Sequence, residues 1–154
     1  MADIVASNRD RLLKAAVEAK TFAYVPYSKF RVGAALLTED GEIIKGANIE
    51  NASYGGTICA ERTAFVKAVS EGKRKFAALA VTTDVASPIA PCGMCRQVIR
   101  EFCSLDMPIL LAASSYIEKE DGVRESTLGE LLPFSFGPED LERDRRLRYL
   151  FELI

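Results

Sequence analysis

A mixed α/β fold, one five-stranded sheet with helices packed on it, is what this sequence predicts, and three observations predict it. Apolar positions change period along the chain, giving a helix and then the order β-β-α-β-α-β-β, a pattern that builds a mixed sheet with helices on it. Of all residues, 49% are apolar and 27% charged, the balance of a globular chain with a full-sized core. At 154 residues, with no repeat, low-complexity tract or linker, residues 1–154 have room for one domain and not for two.

Each element has a local reason. From Asn8 to Ala23, Leu12, Leu13, Ala16, Val17 and Lys20 recur at helical spacing, with Ser7 or Asn8 placed as the cap and Pro26 as the stop. Val32 to Leu37 and Ile43 to Ala47 read as strands joined around Glu39-Asp40-Gly41, since Asp-Gly accepts the positive φ of a tight hairpin. Gly55-Gly56 breaks the chain, and Ile58 to Val69 resumes the helical period. Phe76 to Thr82 is an apolar run of strand length. Pro91-Cys92-Gly93 turns into a helix that runs to about Cys103, and Ile109 to Ala113 is a further short strand. Asp121-Gly122 marks another turn, with Val123 to Thr127 as a weaker fifth strand. After Pro138 comes a charged tail, at about 138–154. Its acidic and basic residues nearly cancel, which predicts a solvated helix ending in Leu150, Phe151 and Ile154.

Charge and composition then exclude whole classes of chemistry. Twenty Lys and Arg against 22 Asp and Glu leave a net charge of −2, which argues against nucleic acid or an anionic membrane as partner. The start, Met1-Ala2-Asp3-Ile4, lacks the basic and apolar regions of a signal peptide, and no apolar run approaches the roughly 20 residues that span a bilayer. A cytoplasmic location is the expectation, where cysteine clusters favour metal or catalysis over disulfides. There are four cysteines and no histidine. Serine–histidine and cysteine–histidine nucleophile systems are excluded, as is an imidazole zinc ligand. Protons must be moved by carboxylates, lysines, tyrosines or cysteines.

The chemistry concentrates in Cys59-Ala60-Glu61-Arg62 and Pro91-Cys92-Gly93-Met94-Cys95. The two-residue spacer between Cys92 and Cys95 lets two thiolates converge on zinc, although a redox pair has the same spacing. Cys59, at another predicted helix start, favours metal. Helical geometry separates Cys95 from Cys103 by about 12 Å, so one ion cannot reach both, and Cys103 reads as a small buried residue. Three thiolates with an open position are the pattern of a catalytic zinc site. Glu61 beside it is placed to take a proton from a zinc-activated water and hand it on; alone, it would read as a first-turn glutamate favoured by the helix dipole. One Zn²⁺ and three thiolates sum to a single negative charge, which blunts activation of water. Arg62 fits either a hydrogen bond to cysteine sulfur, withdrawing some of that charge, or a surface ion pair.

Further stretches complete a pattern: Phe30-Arg31-Val32-Gly33-Ala34-Ala35, Asn48-Ile49-Glu50-Asn51-Ala52-Ser53-Tyr54 and, through the second cysteine motif, Pro91 to Gln97. With Cys59 to Ala64, these resemble the short, homotetrameric cytidine deaminases over roughly Arg11 to Phe136. The resemblance implies an α-β-α layered fold, one Zn²⁺ per subunit on Cys59, Cys92 and Cys95, and Glu61 as proton shuttle. It implies Asn48 and Glu50 on the ribose hydroxyls, Phe30 by the pyrimidine ring and the Ala60 backbone at the base edge. Tyr54 would sit near the ribose, and Phe136, in competition with Phe134, would reach into a neighbouring subunit's pocket. The implied reaction is hydrolytic deamination of cytidine and 2′-deoxycytidine in pyrimidine salvage, by a homotetramer whose sites are completed by neighbours. A deaminase of another aminated base, a polynucleotide editor, a purely structural zinc module and a redox domain are the alternatives. Each is separable by substrate panel, strand binding, zinc removal or disulfide reduction.

Overall fold

A computed structural model describes residues 2–116 and 122–142. Its first helix, α1 (Ala2–Lys20), begins before the expected Asn8 and stops short of Ala23. Ser7 and Asn8 are not caps. Both lie inside the helix and turn their side chains back, Ser7 Oγ donating to Asp3 O at 2.8 Å and Asn8 Nδ2 to Ile4 O at 2.8 Å. At the other end, the Thr21 N–H bonds Glu18 O at 3.0 Å, a tightened turn that closes the helix well before Pro26.

Strands β1 (Val32–Thr38) and β2 (Ile43–Ala47) form the expected hairpin, with Gly41 at φ +88° in its turn. A 3-10 turn (Tyr54–Gly56) occupies the glycine break. Helix α2 (Ala60–Ser70), strand β3 (Phe76–Thr83), helix α3 (Gly93–Phe102), and strands β4 (Pro108–Ala112) and β5 (Val123–Thr127) follow within a residue or two of their expected bounds. Gly122 leads into β5 at φ +72°. A short helix, α4 (Leu128–Leu131), was not foreseen; four residues carry too little periodicity to be read. Its capping box, Thr127 with Glu130, was readable. Residues 138–142 are helical, while the helix expected through Leu150, Phe151 and Ile154 lies otherwise outside the described residues.

The sheet order is β2-β1-β3-β4-β5, antiparallel except between β3 and β4. Side chains alternate across it. Ala35, Leu37, Ala78, Ala80 and Leu110 face Leu12, Leu13 and Ala16 of α1. Ala34, Leu36, Leu79, Val81, Ile109 and Leu111 face Ala64 and Phe65 of α2 and Ile99 of α3. The central strands are buried on both faces, which is why their sequences run apolar without alternation. The result is the three-layer α-β-α arrangement expected. Among the described residues, no helix is long and apolar enough to cross a membrane.

One close approach decides where the site forms. At Gly46 of β2, an added Cβ would lie 2.5 Å from Ala64 N and closer still to Ala60 O. The absent side chain therefore lets the start of α2 lie directly on the sheet.

Candidate active site

Two helix N-termini converge near the carboxyl end of β3. Cys59 is the N-cap of α2 and Cys92 that of α3, each with extended backbone and neither side chain spent on capping. Their sulfurs therefore stay available to a metal ion. Cys95, in the first turn of α3, is fully buried. The Sγ atoms of Cys59 and Cys92 are 3.9 Å apart and those of Cys92 and Cys95 3.4 Å, all three lying within 4.8 Å of one another. Tetrahedral zinc with bonds of about 2.3 Å needs sulfurs about 3.8 Å apart, so this donor set fits one zinc ion. Cys103 sits at the C-cap of α3, away from the cluster, as the helical spacing required.

Electrostatics within the cluster are uneven. The Cys59 thiol is lowered to about 5, chiefly by its hydrogen bond with Cys95 and further by Arg62. Cys95 moves the other way, pushed up by the same bond and by burial, so the proton of the pair rests on Cys95. Arg62 Nη2 donates to Cys59 Sγ at 3.5 Å and to Thr57 O at 3.3 Å, the sulfur contact being one of the two readings its sequence position allowed. Its Nε is buried with no hydrogen-bond partner among the described residues. Glu61, in the first turn of α2, is only 4% exposed, and burial pushes its carboxyl above the usual glutamate range, with the Cys59 charge adding. A solvated first-turn glutamate it is not.

A cleft of about 200 Å³ opens over this cluster. Cys59, Cys92 and Glu61 lie on it, and so do Phe30, Asn48 and Glu50. Glu50 accepts the Tyr27 N–H at 2.9 Å and the Ser28 N–H at 3.2 Å, and these bonds around Ser28 and Tyr27 hold its carboxyl below the usual range. Asn48 Oδ1 accepts the Val32 N–H at 2.8 Å while its Nδ2 donates to Phe30 O at 2.9 Å. Ala60, the first residue of α2, is wholly buried and does not line the cleft. Tyr54 does not line this cleft. Its ring is exposed, tilted against Tyr27 at 5.8 Å, and borders an adjoining hollow that shares Glu50 and Thr57 with the cleft. Phe136 is also outside it: its carbonyl accepts from Gln97 Nε2 of α3 at 3.0 Å, and its ring is exposed.

Sequence reasoning missed several walls of the cleft, namely Val32, Thr57, Val81, Thr83, Ile89 and Ala90. Ile89 and Ala90 directly precede Pro91-Cys92, so chain continuity would have placed them; Val81 and Thr83 needed the sheet register. Roomier hollows of about 450 and 490 Å³ lie elsewhere and contain none of the cysteines, so chemistry and not size identifies the site.

Comparison with known proteins agrees with this geometry. The family described as "Cytidine and deoxycytidylate deaminase zinc-binding region" matches residues 6–111. The chain is 52% identical over 134 residues to the cytidine deaminase of Halalkalibacterium halodurans, spanning 87% of this chain and 98% of that protein. It is 43% identical over 131 residues to the cytidine deaminase of Mycobacterium tuberculosis, spanning 85% and 91%. The crystal structure of the cytidine deaminase from Burkholderia pseudomallei superposes with a TM-score of 0.76 at 46% identity, covering 82% of this chain and 98% of that one.

Proposed function

This chain belongs to the cytidine and deoxycytidylate deaminase family, and from that premise we propose how its residues carry out the reaction. The chain is a zinc-dependent hydrolase that converts cytidine and water to uridine and ammonia. Cys59, Cys92 and Cys95 would hold one zinc ion, which when bound would supply a Lewis acid that lowers the pKa of a water.

The observation that carries the mechanism is the burial of Glu61 on the same cleft as Cys59 and Cys92. With no histidine in the chain, Glu61 makes every proton transfer. It takes a proton from the attacking water, gives it to the ring nitrogen beside the reacting carbon, then takes the second proton and passes it to the departing amine. A carboxyl raised by burial serves both directions, since proton transfer is fastest when donor and acceptor are near in affinity. Arg62, bonded to the Cys59 sulfur, would withdraw some of the excess negative charge of a three-thiolate site.

Phe30 packs on the pyrimidine ring, the Ala60 backbone meets the base edge, and Asn48 and Glu50 bind the ribose hydroxyls. A ribose and a deoxyribose nucleoside both present the hydroxyl that such a pair can grip, so 2′-deoxycytidine is a second substrate and the reaction serves pyrimidine salvage. The exposed rings of Tyr54 and Phe136 lie outside the chain's own cleft, which supports a homotetramer in which each completes a neighbour's site. Residues 1–154 act as one catalytic domain with a charged tail at 138–154, in the cytoplasm, where the four free thiols stay reduced.

Ultraviolet monitoring of cytidine conversion, with zinc quantified on the same sample, tests the reading. Glu61→Gln is expected to keep one zinc per chain while turnover falls by about two to four orders of magnitude. Near-normal turnover in that variant overturns the assignment.

A further inference from the structure

Phe30 reaches the cleft on a segment that no strand ladder holds. Lys29, just before it, has φ +60°, and β1 starts only at Val32. Side chains hold this stretch instead. The Phe30 N–H bonds Ser28 Oγ at 3.0 Å, and Asn48 takes the Phe30 carbonyl and the Val32 N–H. Between them, the Arg31 N–H donates to Asp84 Oδ2 at 3.0 Å.

Asp84 does more than accept that one bond. Arg31 Nε and Nη2 close a fork on its two oxygens, each at 3.0 Å. Its position is fixed from behind by Lys20, a nearly buried residue whose Nζ lies 3.4 Å from Asp84 Oδ1 and donates to Thr83 O at 2.8 Å. Lys20 in turn has little freedom. A Cβ added at Gly33 would come within 2.8 Å of Lys20 Cα, so the end of α1 lies directly on β1. Val32 pairs with Thr83 in the sheet, and the Arg31–Asp84 fork continues that pairing by one step beyond the ladder. Helix α1 and strand β3 are thereby coupled to the segment that carries Phe30.

We propose that Asp84, anchored by Lys20, is a positioning residue that sets Phe30 against the pyrimidine ring. This rests on the reading of Phe30 given above. The role is one of substrate placement: Asp84 does not line the cleft and contributes nothing to the proton transfers.

Steady-state kinetics on zinc-loaded Asp84→Ala, Phe30→Ala and the double variant decide the matter. Asp84→Ala is expected to raise KM for cytidine about tenfold while kcat stays within about threefold, the signature of lost substrate placement. Phe30→Ala raises KM too, and adding Asp84→Ala to it changes KM by less than about twofold, because the two act through one contact. Asp84→Asn, which keeps an acceptor for the Arg31 amide, lies between wild type and Asp84→Ala, and it stands in if the alanine variant does not fold. An unchanged KM in Asp84→Ala beside a raised KM in Phe30→Ala overturns the inference alone, as does a fully additive double variant. An unchanged KM in Phe30→Ala overturns the reading of Phe30 and the inference with it.

Discussion

Substituting Gly46 by alanine displaces α2, the helix that carries Cys59 and Glu61 at its start, without touching either side chain. The added Cβ lies 2.5 Å from Ala64 N and 3.0 Å from Ala64 Cα, whereas ordinary contact begins at 3.4 Å. Relief requires α2 to move off β2 by about 1 Å, since the obstacles are backbone atoms and not the end of a flexible side chain. Overpacking of this kind costs about 1 to 3 kcal/mol, which for a domain of this size lowers the thermal midpoint by roughly 2 to 12 °C. The larger effect falls on chemistry. Cys59 and Glu61 lie at the cap and first turn of α2, while Cys92 and Cys95 lie at those of α3, so the shift opens the metal triangle along one side. A displacement of about 1 Å at a reacting group costs on the order of a hundredfold in rate. The assay is kcat/KM for cytidine together with zinc content, and the melting curve of the same preparation. Gly46→Ala with wild-type kcat/KM and an unchanged midpoint refutes the reasoning, because it means that the helix is not seated on the strand as described.

Three further outcomes follow from the same geometry. Cys95→Ala loses stoichiometric zinc whereas Cys103→Ala keeps it, as metal analysis of the two purified variants will show; Cys103 is a buried thiol pushed up to about 12 by desolvation alone. Arg62→Gln keeps zinc but lowers kcat by about tenfold, read by the same ultraviolet assay, because the Cys59 sulfur loses its guanidinium donor. Asp84 is held below its ordinary value of 3.8, chiefly by Arg31, so its contribution to stability is present above that value and lost as pH falls through its lower folded value. Denaturant melts between about pH 5 and pH 2 should therefore show wild type losing its advantage over Asp84→Asn as acid is added.

The site was legible where its signal was local. Cys92 and Cys95 share one helical turn, Cys59 precedes Glu61 by two residues, and the rise per helical residue alone removed Cys103 from the cluster. The hairpin at Asp40-Gly41 was legible for the same reason, a backbone preference at one position. The start of α1 was misread because Ser7 and Asn8 bond to carbonyls either as caps or from inside a helix, and their identity does not say which. The Arg62 contact could not be chosen from its position, since an exposed ion pair and a bond to sulfur use the same guanidinium.

By itself, then, the sequence determined the order of the five strands and three longer helices, the three thiols that could hold one zinc ion and the absence of any histidine. Those properties depend on residue type and on spacings within a turn or two. Tertiary structure alone decided the strand order, the seating of α1 and α2 on Gly33 and Gly46, and the pairing of Arg31 with Asp84. Asp84 and Arg31 are 53 positions apart and Lys20 and Thr83 are 63 apart, and no local preference marks such pairs. They exist because a sheet brings distant segments into register, and a one-residue slip in that register would remove them.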